Sequence, residues 1–387
     1  MSVASAASEQ QAKLRRWFFE DALPFWWTIG TDRALGGFFE KIAEDLTPID
    51  VPRRARLVSR QIYVYSIAHE LGWNGPCAEI VNHGLEFLTG RMIRDDGTVI
   101  SSVQPDGSIV RGEFDSYDYA FVLFGLAAAA RRLGDKQALS CLAVKIRDRM
   151  IEGWSHPVVG FQESRPPSIP LKANPHMHLL EAFLAWAELG LDGKHEWDRL
   201  ADSIVGLCLS RFVDPASGAV REYFDLEWKV LADEHGQIVV EPGHQFEWAW
   251  LLLRWADLRG RPDVVPVALR LVEIGEKHGV DPVRGIAINE LLDDLTPRDA
   301  RARLWPQTER IKAWYMMAKR AENPADRGMA LDKLAQAIAG LRLFFASRPA
   351  GLWAETIRED GSHDSDPARA SSLYHIACAI RTIDDMI

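Results

Sequence analysis

A glycine-centred segment returns six times along the 387-residue chain: GGFFE from Gly36, DGTVIS from Asp96, VGFQE from Val159, SGAVREYF from Ser217, RGIAINE from Arg284 and AGLWAE from Ala350. The spacing is about 60 residues throughout, and a fixed period of that kind restricts a chain to arrays in which each unit packs on its neighbours. Between successive segments, apolar residues recur at i, i+3, i+4 and i+7 in two stretches, the pattern of two amphipathic helices. GWNGP near 72, LGDK near 133, LDGKH near 191, RGRPD near 259 and ENPAD near 322 separate the stretches with turn-forming residues. The pattern predicts helices near 10–28, 53–73, 76–92, 115–134, 136–152, 173–190, 194–213, 242–259, 263–279, 302–320, 326–346 and 368–386, with no long strand pattern among them.

Six helical hairpins can stack as an open solenoid or close into a ring. The second helix of each pair across the long turns is the more apolar all round, as AFVLFGLAAAA and EWAWLLLRW show, whereas LAVKIRDRMIE is amphipathic. A helix apolar on every side is enclosed by others. The expected architecture is therefore an all-α, (α/α)6 barrel of about twelve helices forming a single domain over 1–387, with the even-numbered helices inside.

Against that apolar background, each inner helix carries polar groups in its opening turns: Arg60 in RLVSRQIYVYS, Tyr117 and Asp118 in FDSYDYAF, Asn174 and His178 in ANPHMHLLEA, His244 and Glu247 in EPGHQFEW, Trp305 and Glu309 in LWPQTERIKAW, and His375 in ASSLYHIACAI. Parallel inner helices bring these starts to one barrel end, where they converge on a pocket. Taken singly, each has a structural explanation: Arg60 bracing a carboxylate, His178 and His375 as core histidines, His244 and Glu247 as a hydrogen-bonded pair, and most of the 14 tryptophans as packing. Their recurrence at one register of six repeats is something core packing does not require. His176 and His178 point to different faces of a helix and form no metal clip. No second HxxE or ExxH segment completes a metal site around His244 and Glu247.

The net charge of −10 supplies no basic face for nucleic acid. The longest apolar run, Ala120 to Ala130, is too short to span a bilayer. Cys77, Cys141, Cys208 and Cys378 are widely spaced in helical stretches, as reduced buried thiols are. With no basic head and apolar core at the N-terminus, the expectation is a cytoplasmic protein with a small-molecule partner, no nucleic-acid or membrane partner, and self-association into a homo-oligomer left open.

SRQIYVYS, NPHMHLLEA, EPGHQFEWAWLL, WPQTER and SLYHI together resemble the N-acylglucosamine 2-epimerase family over nearly the whole chain, most closely its bacterial D-mannose isomerase and sulfoquinovose isomerase branch. The resemblance implies an (α/α)6 barrel in which Arg60, His178, His244 and His375 surround a sugar. Disaccharide epimerases of the family tend to carry a tryptophan a few residues before the last histidine, where this chain has Ala370. The implied activity is cofactor-independent isomerisation of an unphosphorylated aldose to a ketose, D-mannose to D-fructose, through an enediol. In that scheme His375 moves the proton, His244 opens the ring and Arg60 stabilises the enediolate. Glu247 orients His244, while Tyr117, Asn174, His178, Trp305 and Glu309 bind substrate. Sugar 2-epimerisation is the alternative reaction. Glycoside hydrolysis by Asp118, Glu247 and Glu309 and non-catalytic sugar binding are alternatives of other classes.

Overall fold

A computed structural model describes residues 3–386 apart from positions 135 and 192. All six repeat glycines, Gly36, Gly97, Gly160, Gly218, Gly285 and Gly351, hold positive φ between 69° and 92°. A side chain is strained in that left-handed region, which is why glycine marks the turn. Five of the turns close with an isolated antiparallel bridge, such as Val213 to Val220 and Val280 to Ala287.

The helices are α1 (Val3–Trp17, carried through a π-helical turn at Phe18–Ala22 to Leu23–Thr28), α2 (Ala55–Glu70), α3 (Cys77–Phe87), α4 (Ser116–Arg132), α5 (Lys136–Trp154), α6 (Ala173–Leu189), α7 (Lys194–Leu207), α8 (Pro242–Arg259), α9 (Val265–Gly279), α10 (Leu304–Arg320), α11 (Pro324–Leu343) and α12 (Ala370–Thr382). The even-numbered helices pack on one another in sequence, and α12 returns to α2. That last contact makes the array a closed ring. Each odd-numbered helix lies outside against its neighbours. The inner helices are buried on nearly every side, and one apolar cluster runs from Leu14 to Ile383. Among the described residues no helix is long and apolar enough to cross a membrane.

Three inner helices, α2, α10 and α12, start two residues later than the periodicity implies, and two-residue strands precede five of the six. Arg53–Arg54, Leu171–Lys172, Val239–Val240, Ala302–Arg303 and Ala368–Arg369 each pair antiparallel with a strand from a neighbouring long turn. Ala368–Arg369 pairs with Lys41–Ile42, so the last repeat is stitched to the first.

The repeat segment also explains where these helices begin. A residue at or near its end offers a backbone carbonyl to the first helical amide: Ser101 to Ala55, Glu222 to Ala173, Glu355 to Leu304 and Glu40 to Ala370, at 3.0–3.1 Å. An otherwise orphaned helix-start donor is satisfied each time. Only α4 among the inner helices uses a side-chain cap, Asp115, whose carboxylate accepts from the amides of Tyr117 and Asp118. The device fixes the height of four inner N-termini, those of α2, α6, α10 and α12, and hence of the polar groups predicted in their first turns.

Candidate active site

The convergence expected from the sequence is present. Arg60 of α2, Tyr117 of α4, Asn174 and His178 of α6, His244 and Glu247 of α8, Trp305 of α10 and His375 of α12 line one cavity of about 240 Å³ at the N-terminal end of the inner ring. Trp305 forms the wall between two histidines, its ring centroid 4.9 Å from that of His244 and 5.9 Å from that of His375. Arg60 donates from Nη2 to the Tyr117 hydroxyl at 2.8 Å and lies over the Phe121 ring at 3.9 Å. These contacts hold its guanidinium without an ion pair to any carboxylate among the described residues, and it lines the cavity.

The two histidines have opposite electrostatic surroundings. His244 Nδ1 lies 2.9 Å from the buried Glu222 carboxylate and 3.9 Å from Glu241. Burial alone would lower its pKa, but the two carboxylates outweigh burial and raise it to about 9. Burial lifts Glu222 as well. With two carboxylates facing one imidazole, the proton stays on His244. His375 is the reverse: burial, then the positive charges of Arg60 and Lys312, hold it well below the ordinary histidine value. One imidazolium and one neutral imidazole therefore face the same cavity at neutral pH.

Two expected roles change. Glu247 does not touch His244. Three residues along α8, its Oε1 lies 3.8 Å from His178 Nδ1, and the orienting carboxylate for His244 is Glu222. Burial and the neighbouring Glu309 push Glu247 well above the usual carboxylate range, so it stands in the cavity as a neutral acid. Neither of its oxygens, nor Asn174 Oδ1, nor Arg60 Nε, has a hydrogen-bond partner among the described residues, which leaves them for hydroxyl groups. Glu309 lies beneath the cavity rather than in its lining. It forms an ion pair with Lys312 and places Oε1 3.1 Å from His375 Nδ1, where it orients the histidine instead of holding a sugar hydroxyl.

His178 faces the cavity, and burial lowers it to about 4; its Nδ1 is 3.4 Å from Glu181. His176 accepts the Phe161 amide on Nε2 and contacts the Lys172 carbonyl through Nδ1, away from the cavity. Asp118 is also outside it, fully buried and held by Arg56. A pair of carboxylates flanking a glycosidic bond is therefore not assembled from Asp118, Glu247 and Glu309.

The sequence reading missed Glu222, Glu181 and Lys312. A signal existed for Glu222, which is the glutamate of the fourth repeat segment. Ligand atoms of Glu222, Glu241 and His244, and of His178, Glu181 and Glu247, lie within 4.8 Å of one another, close enough to share a cation. Glu241 is already paired with Arg303, and Glu222 with His244.

A closed barrel of helical hairpins with arginine, histidine and carboxylate groups around one polar pocket defines an enzyme that acts on a small polar molecule. The N-acylglucosamine 2-epimerase (GlcNAc 2-epimerase) family profile matches residues 37–379, and the chain belongs to that family, whose members are sugar isomerases and epimerases. It is 40% identical over 379 residues to a mannose-6-phosphate isomerase of Rhizobium meliloti (strain 1021), covering 98% of this chain and 97% of the relative. It is 28% identical over 286 residues to a D-mannose isomerase of Thermobifida fusca, covering 68% of each. The crystal structure of a D-mannose isomerase superposes with a TM-score of 0.85 at 18% identity, over 98% of both chains.

Proposed function

We propose that the enzyme interconverts an aldose and a ketose at C1 and C2 of a mannose-type hexose, D-mannose to D-fructose, through an enediol. The observation that carries this reading is the placement of two histidines across one cavity, His244 against the Glu222 and Glu241 carboxylates and His375 beside the Arg60 and Lys312 cations. His244, as the imidazolium, donates to the ring oxygen as the O1 proton passes to solvent, which opens the pyranose to the aldehyde. His375, as the neutral imidazole, removes the C2 proton, and the electron pair flows toward the C1 carbonyl to give an enediolate. Arg60 faces the developing charge, and a donor so placed contributes about 10²–10³ in rate. His375 returns its proton to C1 as the O2 proton passes to the O1 oxyanion, leaving the ketose. A base with a pKa below neutrality is available without first losing a proton.

A second reading concerns the far end of the substrate. Beside the pocket, and sharing Arg60, Tyr117 and Asn174 with it, opens a cleft of about 550 Å³ in which Arg54, Arg56, Arg111, Lys172 and Arg369 outnumber Asp115 and Glu163. In a chain of net charge −10, this concentration of cations favours an anionic group on C6, which agrees with the name of the Rhizobium relative. Incubation with D-mannose, D-mannose 6-phosphate, D-glucose, N-acetylglucosamine and cellobiose, with products separated chromatographically, tests both readings. A ketose from either mannose substrate supports isomerisation, and the preferred substrate decides the role of the cleft. Formation of the C2 epimer alone overturns the aldose–ketose assignment.

A further inference from the structure

Under the pocket lies a fully buried lysine that the reaction scheme above does not use. Lys312 Nζ forms an ion pair with Glu309, sits 3.8 Å from Cys378 Sγ and stacks over the Trp250 ring at 3.8 Å. Its own helix supplies Glu309. The groups that face it from other elements are Glu181 of α6, Glu247 of α8, and His375 and Cys378 of α12. A buried ammonium is costly unless it is paired, and here a single lysine faces three buried glutamates, with Glu309 as its ion-pair partner.

We propose that Lys312 is a positioning residue: it keeps Glu309 a hydrogen-bond acceptor, so that His375 carries its proton on Nδ1 and presents a bare Nε2 to the sugar.

The geometry requires the chain Lys312–Glu309–His375. Glu309 Oε2 meets Lys312, while Oε1 meets His375 Nδ1 at 3.1 Å. Nε2 is then the nitrogen left for the cavity that His375 lines. The other hydrogen bond of an imidazole sets which nitrogen holds the proton. Burial pushes Glu309 toward its neutral form, and Lys312 is the strongest influence opposing this. Without the lysine, Glu309 takes up a proton and donates it to Nδ1, and the histidine then turns an N–H rather than a lone pair toward C2. Lys312 also disfavours the imidazolium of His375 directly, so both effects favour the base.

This inference rests on the reading of His375 as the proton carrier, and one arm of its test is independent of activity. In protein labelled with ¹⁵N at histidine, and assigned by comparison with His375→Asn, wild type should show His375 protonated at Nδ1. Lys312→Met should show it protonated at Nε2. In kinetics, Lys312→Met should lower kcat at least tenfold with KM within about threefold, the pattern of a lost transition-state role. Its acid limb in kcat should move to higher pH, because Glu309 must now ionise unaided. Lys312→Met/Glu309→Gln, which removes the charge and its partner together, should fold and be no less active than Glu309→Gln alone. An unchanged tautomer in Lys312→Met, or a kcat–pH profile superposable on wild type, overturns the proposal. If wild type converts no sugar at all, the proposed function fails, and the tautomer measurement still decides the role of Lys312.

Discussion

Replacing Glu222 by Gln leaves the shape around His244 nearly intact and removes one of the two carboxylates that hold its proton. The lift of His244 from 6.5 to about 9 corresponds to about 3 kcal/mol in favour of the imidazolium. Glu222 is the larger source of that lift, through both its charge and its hydrogen bond. In the variant, burial acts with only Glu241 to oppose it, so His244 should return to its ordinary value or below. If it returns to 6.5, the protonated fraction at pH 8 falls from about nine-tenths to about 3%, a loss of about 30-fold in ring-opening acid. The acid must be protonated to act, so wild-type activity should persist to high pH and fall as pH passes through about 9. The variant should lose activity from much lower pH on its alkaline side while keeping near wild-type turnover at pH 5.5. The same pair stabilises the fold below the unfolded histidine value, and that contribution is lost as pH rises through about 9. The assay is kcat for mannose conversion from pH 5 to 10 in both proteins. An alkaline limb that stays in place in Glu222→Gln refutes the assignment of His244 as the acid.

His375→Asn should abolish turnover, by about 10²-fold or more, while isothermal titration still detects sugar binding; near-normal kcat would remove the base from the scheme. Exhaustive dialysis against a chelator should leave activity unchanged, and loss restored by a divalent ion would assign a metal to Glu222, Glu241 and His244. Gly97→Ala places a side chain at φ +85° with its Cβ 2.9 Å from the Lys145 carbonyl oxygen, and urea unfolding should show a loss of about 2 kcal/mol. An undiminished midpoint would mean that the repeat glycine is not conformationally required.

The fold was legible because its determinants are periodic. Six glycines at one spacing mark six left-handed turns, and apolar residues on every face of alternate helices mark the inner ring. The short strands before α2, α6, α8, α10 and α12 were not legible, since two residues carry no alternation to detect and their pairing partners lie far along the chain. Within the site, residues in the first turns of the inner helices could be placed by register alone, and Arg60, Tyr117, Asn174, His178, His244, Glu247, Trp305 and His375 all face the cavity. The carboxylate that serves each histidine depended instead on contacts between elements. Helical spacing suggested Glu247 for His244, but Glu222 reaches it from a turn 22 residues upstream. Glu309 shares a motif with the pocket wall, yet it points down the barrel to Lys312, which helical spacing hides among the hydrophobic residues of RIKAWYMM.

The central claim, that one histidine carries a hydrogen from C2 to C1, is tested most directly with D-mannose deuterated at C2, or its 6-phosphate if that proves the better substrate. The reaction is run in ordinary water, and deuterium in the ketose is located by NMR. The account predicts a ketose with part of the label at C1, a primary isotope effect on kcat, and no label transfer by His375→Asn. Ketose formed at the wild-type rate with no isotope effect, or label recovered only at C2 of unreacted sugar with no ketose formed, would contradict it.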